Sequence, residues 1–281
     1  MTVYRISRIR RIGDLRSLAL GLALLGAAST AALAAGPGDS PERVARWKAI
    51  AGQIFGERPI EPTDTLIKLD LPKRAEDAAL VPVTLTMPEK DRIKAVTLVI
   101  DDNPSPMAAH IVFGPAAGPG ALQLRVRIDT YTNVHAVAET TDGQLYETAA
   151  FVKASGGCSA PAAASDVEAM KGIGEMRTRF AGDGTLGKPM TATLMVRHPN
   201  FNGMQMDQVT RHYTPARYID KLSVSYGNAK VLDLETDISL STNPVITFSF
   251  VPDGKGRLTA VATDTANGRW EQSFDAPAAT N

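Results

Sequence analysis

Cysteine is the scarcest residue in this sequence: Cys158 is the only one among 281 residues. A lone thiol closes no internal disulfide and supplies no cysteine pair for a structural zinc site. It is therefore either incidental or kept for reaction or intermolecular pairing. Aromatic residues are also sparse, at 6%, while apolar residues reach an ordinary 44%. The core must be aliphatic, and the chain reads as globular, not disordered. Neither charge is in excess, with 30 Lys+Arg against 30 Asp+Glu, so the basic footprint of nucleic-acid binding is missing. No P-loop, dinucleotide-binding glycine fingerprint or heptad repeat occurs, and no bound cofactor is expected.

Long apolar runs are missing too, except near the start. Arg5, Arg8, Arg10, Arg11 and Arg16 precede an Ala/Leu-rich run from Leu18 to Ala28, and Ala32 and Ala34 give a small-residue cleavage pattern. This is the layout of a signal peptide over residues 1–34, too short and too rich in Ala and Gly for a stable span. Arg10-Arg11 leaves the Sec and Tat routes both open. Removal of the leader takes five arginines and one aspartate, so the exported chain carries a charge of about −4. A periplasmic location follows, with no membrane span after cleavage.

Residues 40–56 show helical spacing of Val44, Trp47, Ile50, Ala51 and Ile54, with Ser40 before Pro41 as cap and Gly56 as stop. Beyond them the apolar period drops to two. β-rich stretches fall at 65–70, 80–87, 93–100, 108–113, 122–129, 132–140 and 145–154, separated by turn residues such as Asp101-Asp102-Asn103-Pro104 and Asp142-Gly143. That density of short strands predicts a β-sandwich over residues 40–153. A second series predicts another over 171–277: Met176–Phe180, Met190–His198, Val209–Tyr213, Ile219–Tyr226, Lys230–Asp237, Val245–Val251, Arg257–Thr263 and Arg269–Phe274. Asp183-Gly184, Gly227-Asn228, Asp253-Gly254 and Asn267-Gly268 supply the turns, and the last two read as hairpins. The fold class is all-β, two sandwiches in tandem behind a short helix.

Between them, residues 154–170 are mostly Ala, Ser and Gly, which predicts a flexible linker. Gly156 and Gly157 precede Cys158, putting an exposed thiol on a narrow arm with Lys153 as the nearest cation. Three other constellations compete. His198, Met204, Met206 and His212 suit copper by ligand type, yet methionines in a hairpin more often pack than ligate, and no metal site is assigned. A cysteine hydrolase needs His110, His135, His198 or His212 beside Cys158 on a rigid mount. Asp101-Asp102 and Glu139-x-x-Asp142 sit at turns, where solvated carboxylates are ordinary.

The order of several motifs resembles the two subunits of the SoxYZ sulfur-carrier complex fused into one chain. SoxY-like marks are Val81-Pro82-Val83, Asp102-Asn103-Pro104-x-Pro106, Arg125-x-Arg127, Tyr131-Thr132-Asn133-Val134, Asp142-Gly143-x-Leu145-Tyr146 and Val152-Lys153-x-x-Gly156-Gly157-Cys158. SoxZ-like marks are His198-Pro199, Asp207, Pro215-Ala216-x-Tyr218-Ile219, Asn243-Pro244 and Asp264-x-x-Asn267-Gly268-x-Trp270. The resemblance implies immunoglobulin-like sandwiches and a non-enzymatic carrier with sulfur intermediates bound covalently at Cys158. Implied partners are sulfur-oxidising enzymes or c-type cytochromes. Where the family arm ends Gly-Gly-Cys-Gly-Gly near the C-terminus, Ser159-Ala160-Pro161 follow here and the chain continues. Fused chains of this shape resemble carriers associated with quinoprotein dehydrogenases, which opens an alternative: a non-covalent adaptor or substrate-delivery module for such an enzyme.

Overall fold

The computed structural model describes residues 40–160, 166–206, 211–254 and 256–277. The expected leader, residues 161–165 of the linker and Asp207 lie outside these, as do positions 209–210 of the strand expected over Val209–Tyr213. Of the rest of that stretch, Tyr213 makes one isolated bridge to Met206 and no strand forms. Arg211 has a positive φ of 62°, which breaks an extended run.

Helix α1 spans Pro41–Phe55, where the sequence places it. The Ser40 side chain accepts a hydrogen bond from the Arg43 N–H, Pro41 occupies the first turn, and Gly56 ends the helix at φ 68°. The strands of the first half are β1 (Ile60–Pro62), β2 (Lys68–Asp70), β3 (Val81–Met87), β4 (Ile93–Ile100), β5 (Met107–Phe113), β6 (Gly120–Val126), β7 (Thr132–Thr140) and β8 (Leu145–Val152). After a short helix α2 (Asp166–Ala169) come β9 (Met176–Ala181), β10 (Met190–Val196), β11 (Ile219–Tyr226), β12 (Ala229–Thr236), β13 (Val245–Phe250), β14 (Arg257–Asp264) and β15 (Arg269–Asp275). Burial alternates along β3 and β10, as strands with one face in a core require.

Each half is a sandwich, and the halves are joined edge to edge. Among the described residues one sheet runs β1-β8-β7-β4-β5-β12-β11-β14-β15 and the other β2-β3-β6-β13-β10-β9. The crossing in the larger sheet is an antiparallel ladder pairing Ala109–Phe113 of β5 with Leu232–Thr236 of β12. In the smaller sheet Gln123 of β6 pairs with Thr247 of β13. Gly114 permits the close approach: a Cβ there would lie 2.3 Å from the carbonyl oxygen of Lys230. The aliphatic core, from Ile67, Leu85, Leu98 and Leu124 through Leu194, Leu234 and Phe248, is one continuous cluster across both halves.

Helix α1 is pinned to the first sandwich by charge as much as by apolar contact. Arg43 and Arg46 both pair with Asp102, whose side chain is only 7% exposed. Trp47 stacks on His135 with ring centroids 3.7 Å apart and planes 7° from parallel. His135 is buried, with Nε2 3.2 Å from Asp101 and Nδ1 3.5 Å from Glu147. The turn carboxylates Asp101 and Asp102, expected to be solvated, are thus buried anchors. A buried imidazole between two carboxylates is a better cation than a free one.

Desolvation pulls the His135 pKa down, but the bonds and charges of Asp101 and Glu147 outweigh it, and the net shift is upward. Protonation therefore favours the folded state. The stabilisation is full below the unfolded histidine value of about 6.5 and fades as pH rises through the raised folded value. The stability difference between wild type and His135→Gln, read from thermal unfolding, should shrink as pH rises above about 6.5. A difference that grew with pH would show that the imidazole is held neutral.

Candidate functional site

Cys158 is not exposed, contrary to its expected place on an open arm: its accessible surface is 0%. After β8 the chain runs through Ala154, also buried, into a tight turn over Gly156–Ser159 that presses into the junction between the halves. Gly156 has φ 79° and donates its N–H to the Asp129 carbonyl at 2.7 Å. The Gly157 N–H reaches the carbonyl of Ile128 at 3.0 Å. A Cβ on Gly157 would lie 2.0 Å from the carbonyl oxygen of Ala78 and 2.6 Å from that of Ile128. Only glycine lets the backbone approach so closely.

The second half closes over the same turn. The Asn202 side chain donates to the Cys158 carbonyl at 2.7 Å, and Gln205 donates to that of Ala160 at 3.3 Å. The floor is fixed by Asn103, whose amide donates to the Arg127 carbonyl and to the Ser239 hydroxyl while its oxygen accepts from the Asp129 N–H. Asn103 thereby ties the turn, the strand end under the cysteine and the second half into one network. Low-complexity composition did not disclose this docking, because backbone groups and two distant amides supply it.

Burial governs the chemistry of the thiol. Removal from water pushes the Cys158 pKa up to about 12, the Asp129 charge adds to the rise, and Arg127 opposes both. The cation that acts on the sulfur is Arg127, not Lys153 as chain proximity suggests. Arg127 is itself 2% exposed, and desolvation draws its pKa down to about 10 against the favourable charge of Cys158. Docked, the sulfur is a thiol; nucleophilicity requires the thiolate.

The histidines lie elsewhere. His110 bonds Thr97, His135 bonds Asp101, and His198 bonds Asp264 at 3.3 Å while accepting the Asn200 N–H at 3.0 Å. Both ring nitrogens of His198 are engaged and its accessible surface is 0%, whereas His212 is exposed. Glu139 pairs with Lys94 and Arg58, and Asp142 accepts from Thr140.

Two family models match the chain. Sulfur oxidation protein SoxY covers residues 51–158, ending on Cys158, and sulphur oxidation protein SoxZ covers residues 178–275. The chain belongs to the SoxYZ family. Both domains stand in tandem on it, as the motif order suggested. Among solved structures it is similar to the sulfur carrier protein SoxY from Chlorobium limicola f thiosulfatophilum, with 25% identity, 39% of this chain and 92% of that chain covered, and a TM-score of 0.33. A superoxide reductase (neelaredoxin) from Ignicoccus hospitalis matches at 15% identity over 36% of this chain and 97% of that chain, with a TM-score of 0.31. No curated protein matches.

Mapped onto the structure, the SoxY and SoxZ motifs divide into two groups. Asn103, Arg127 and Gly156-Gly157-Cys158 of the SoxY domain converge on the docked turn. Buried His198 and Asp264 and half-buried Trp270 of the SoxZ domain form a brace, with Arg217 2.6 Å from Asp264 and Trp270 edge-on to His198 at 5.8 Å. Asn202 and Gln205 belong to neither set of motifs, and only the folded chain reveals them. No helix among the described residues is long and apolar enough to cross a membrane.

Proposed function

We propose that this SoxYZ chain is a periplasmic covalent carrier, with Cys158 as the attachment point for sulfur-containing intermediates derived from thiosulfate or a related compound. The observation that carries the reading is the convergence of a single cysteine, its glycine turn and groups of both domains at one junction. Docked, the thiol is protonated and shielded from the oxidants of an exported protein's surroundings. Released, its pKa returns toward the ordinary value and the thiolate can attack a sulfur electrophile. Gly156 and Gly157 then serve twice, as a seat that needs no side chain and as a slender support beneath the sulfur.

Chemistry on the carried group belongs to partners: sulfur-oxidising enzymes or c-type cytochromes. Because the chain continues beyond Ser159, the arm enters a partner as a doubled strand, which calls for wider clefts than a free tail needs. Intact mass spectrometry of protein from its native compartment tests the carrier reading. The expected result is added mass at Cys158 that is absent in Cys158→Ser. An unmodified cysteine under all growth conditions, with full function in Cys158→Ser, sinks it.

The competing reading is a non-covalent adaptor for a quinoprotein dehydrogenase, and the buried, protonated thiol is the observation on its side. Pull-down with Cys158→Ala separates the two. A carrier keeps its partner and loses activity, whereas an adaptor keeps both.

A further inference from the structure

A cavity of about 350 Å³ opens at the domain junction beside the docked turn. Arg127 of the SoxY domain, Arg197, Gln205 and Asn243 of the SoxZ domain, and Ala160 of the arm line it. Arg127 is buried, and its Nη1 donates only to the carbonyls of Leu240 and Ile238. No carboxylate among the described residues forms an ion pair with it. A buried cation without a counter-charge is costly unless an anion visits it. Gln205 is 8% exposed, and its Oε1 is buried with no hydrogen-bond partner. The carboxylates on the wall are already engaged: Asp77 accepts from the Ala79 N–H at 2.8 Å, and Glu168 pairs with Lys171. Arg197 stands exposed at the wall, adding a second positive charge.

We propose that this cavity is a binding site for a sulfonate-type oxyanion, held by Arg127 and Arg197, with a water shared between the anion and Gln205 Oε1. Guanidinium groups suit the site because their planar forks match tetrahedral oxyanions. The choice of sulfur rests on the carrier reading; the oxyanion chemistry does not. Two sources present the same group: a free anion such as thiosulfate, or the terminal sulfonate of a group on Cys158.

The test uses the full chain with Cys158→Ser, titrated calorimetrically with sodium thiosulfate against a chloride control. We expect saturable one-site binding, weakened at least about tenfold by Arg197→Gln, the loss of one charge-assisted hydrogen bond. Arg127→Gln, with folding checked by circular dichroism, should weaken it at least as much. Absence of saturable binding, or affinity unchanged in both variants, overturns the site.

Tetrathionate then distinguishes the sources. The wild-type thiolate attacks an inner sulfur, one S–S bond forms and one breaks, and thiosulfate leaves, giving Cys158–S–S–SO₃⁻ with no outside oxidant. Loss of thiosulfate binding on loading assigns the cavity to the carried sulfonate; retained binding assigns it to a free anion. A chain that gains no mass from tetrathionate even when Gly157→Ala forces the turn off its seat defeats the carrier reading, while the titration of Cys158→Ser still decides the cavity.

Discussion

Replacing Gly157 with alanine should increase the rate of Cys158 alkylation in the folded protein at least about a hundredfold, through loss of both burial and pKa elevation. In the docked state the pKa is pushed up to about 12. At neutral pH that leaves about a thousandfold less thiolate than an ordinary cysteine near 9, since each pKa unit is a factor of ten. Labelling therefore proceeds through the undocked fraction, and its rate reads the docking equilibrium. An alanine Cβ at 157 would meet the carbonyl oxygens of Ala78 and Ile128 at 2.0 and 2.6 Å. Both are backbone atoms, held in turn by the Ile128 N–H to Ala78 carbonyl bond at 2.8 Å, so neither moves cheaply. The turn must lift. Asn202→Ala removes a single hydrogen bond to the Cys158 carbonyl, worth about 1 kcal/mol, and should accelerate labelling by only about fivefold. Thermal unfolding of each variant separates local release from global destabilisation. Equal labelling rates in wild type and Gly157→Ala, with both folded, would show that the seat does not control the thiol.

That expectation could not be formed from the sequence. Residues 154–160 contain no apolar bulk beyond alanine and the cysteine, and such a segment reads as linker by every compositional rule. What docks it is backbone: two N–H groups of adjacent glycines and two carbonyls capped by Asn202 and Gln205, more than forty residues away. Main-chain hydrogen bonding leaves little trace in residue type. By contrast, α1 was legible to its ends because Ser40, Pro41 and Gly56 each have one positional meaning. The β7–β8, β11–β12 and β14–β15 turns were legible at Asp142-Gly143, Gly227-Asn228 and Asn267-Gly268 for the same reason, whereas Asp253-Gly254, expected as a hairpin, carries the chain from one sheet to the other, because β13 and β14 pair in different sheets. Gly143, Gly227 and Asn267 indeed take positive φ.

The carboxylates at Asp101 and Asp102 show the opposite error. Turn propensity says where the chain reverses, not whether another element will cover the reversal. Helix α1 does, bringing Arg43 and Arg46 over Asp102 and Trp47 over His135. A helix of ordinary amphipathic pattern thus has only Ile50 fully buried and makes its strongest contacts through arginine and a stacked indole. The two sandwiches were legible from period-two patterning, but their edge-to-edge joining was not. Val112 and Asp233, directly paired across the junction, look like any residues of edge strands.

That joining sets the second large effect. Cutting the chain at a protease site inserted between Ala160 and Asp166 should leave one particle, with the SoxY and SoxZ domains still bound at about 1 nM or below, or some 12 kcal/mol of association. Two sandwiches connected only by a linker would separate on the same cut. The reason lies in what spans the junction. The β5–β12 ladder pairs five residues on each side, the Arg127 N–H donates to the Ser239 carbonyl at 2.7 Å, and the Ser241 N–H reaches the Arg125 carbonyl at 3.1 Å. Asn103 bonds Ser239 at 2.8 Å with both groups buried, and Ser105 bonds Asp237. Beneath these, Leu124 and Ile111 share one apolar cluster with Leu234 and Phe248, and separation would expose core instead of surface. Strand edges stripped of their partners are also prone to mispairing, so the isolated domains should aggregate where the cut pair does not. Size-exclusion chromatography of the cleaved protein at nanomolar concentration measures the outcome. Two separate peaks would mean that the tether, and not the shared sheets, holds the halves together. The Asn202 and Gln205 contacts to the arm would then be lost whenever the domains parted, and Cys158 would be reactive by default.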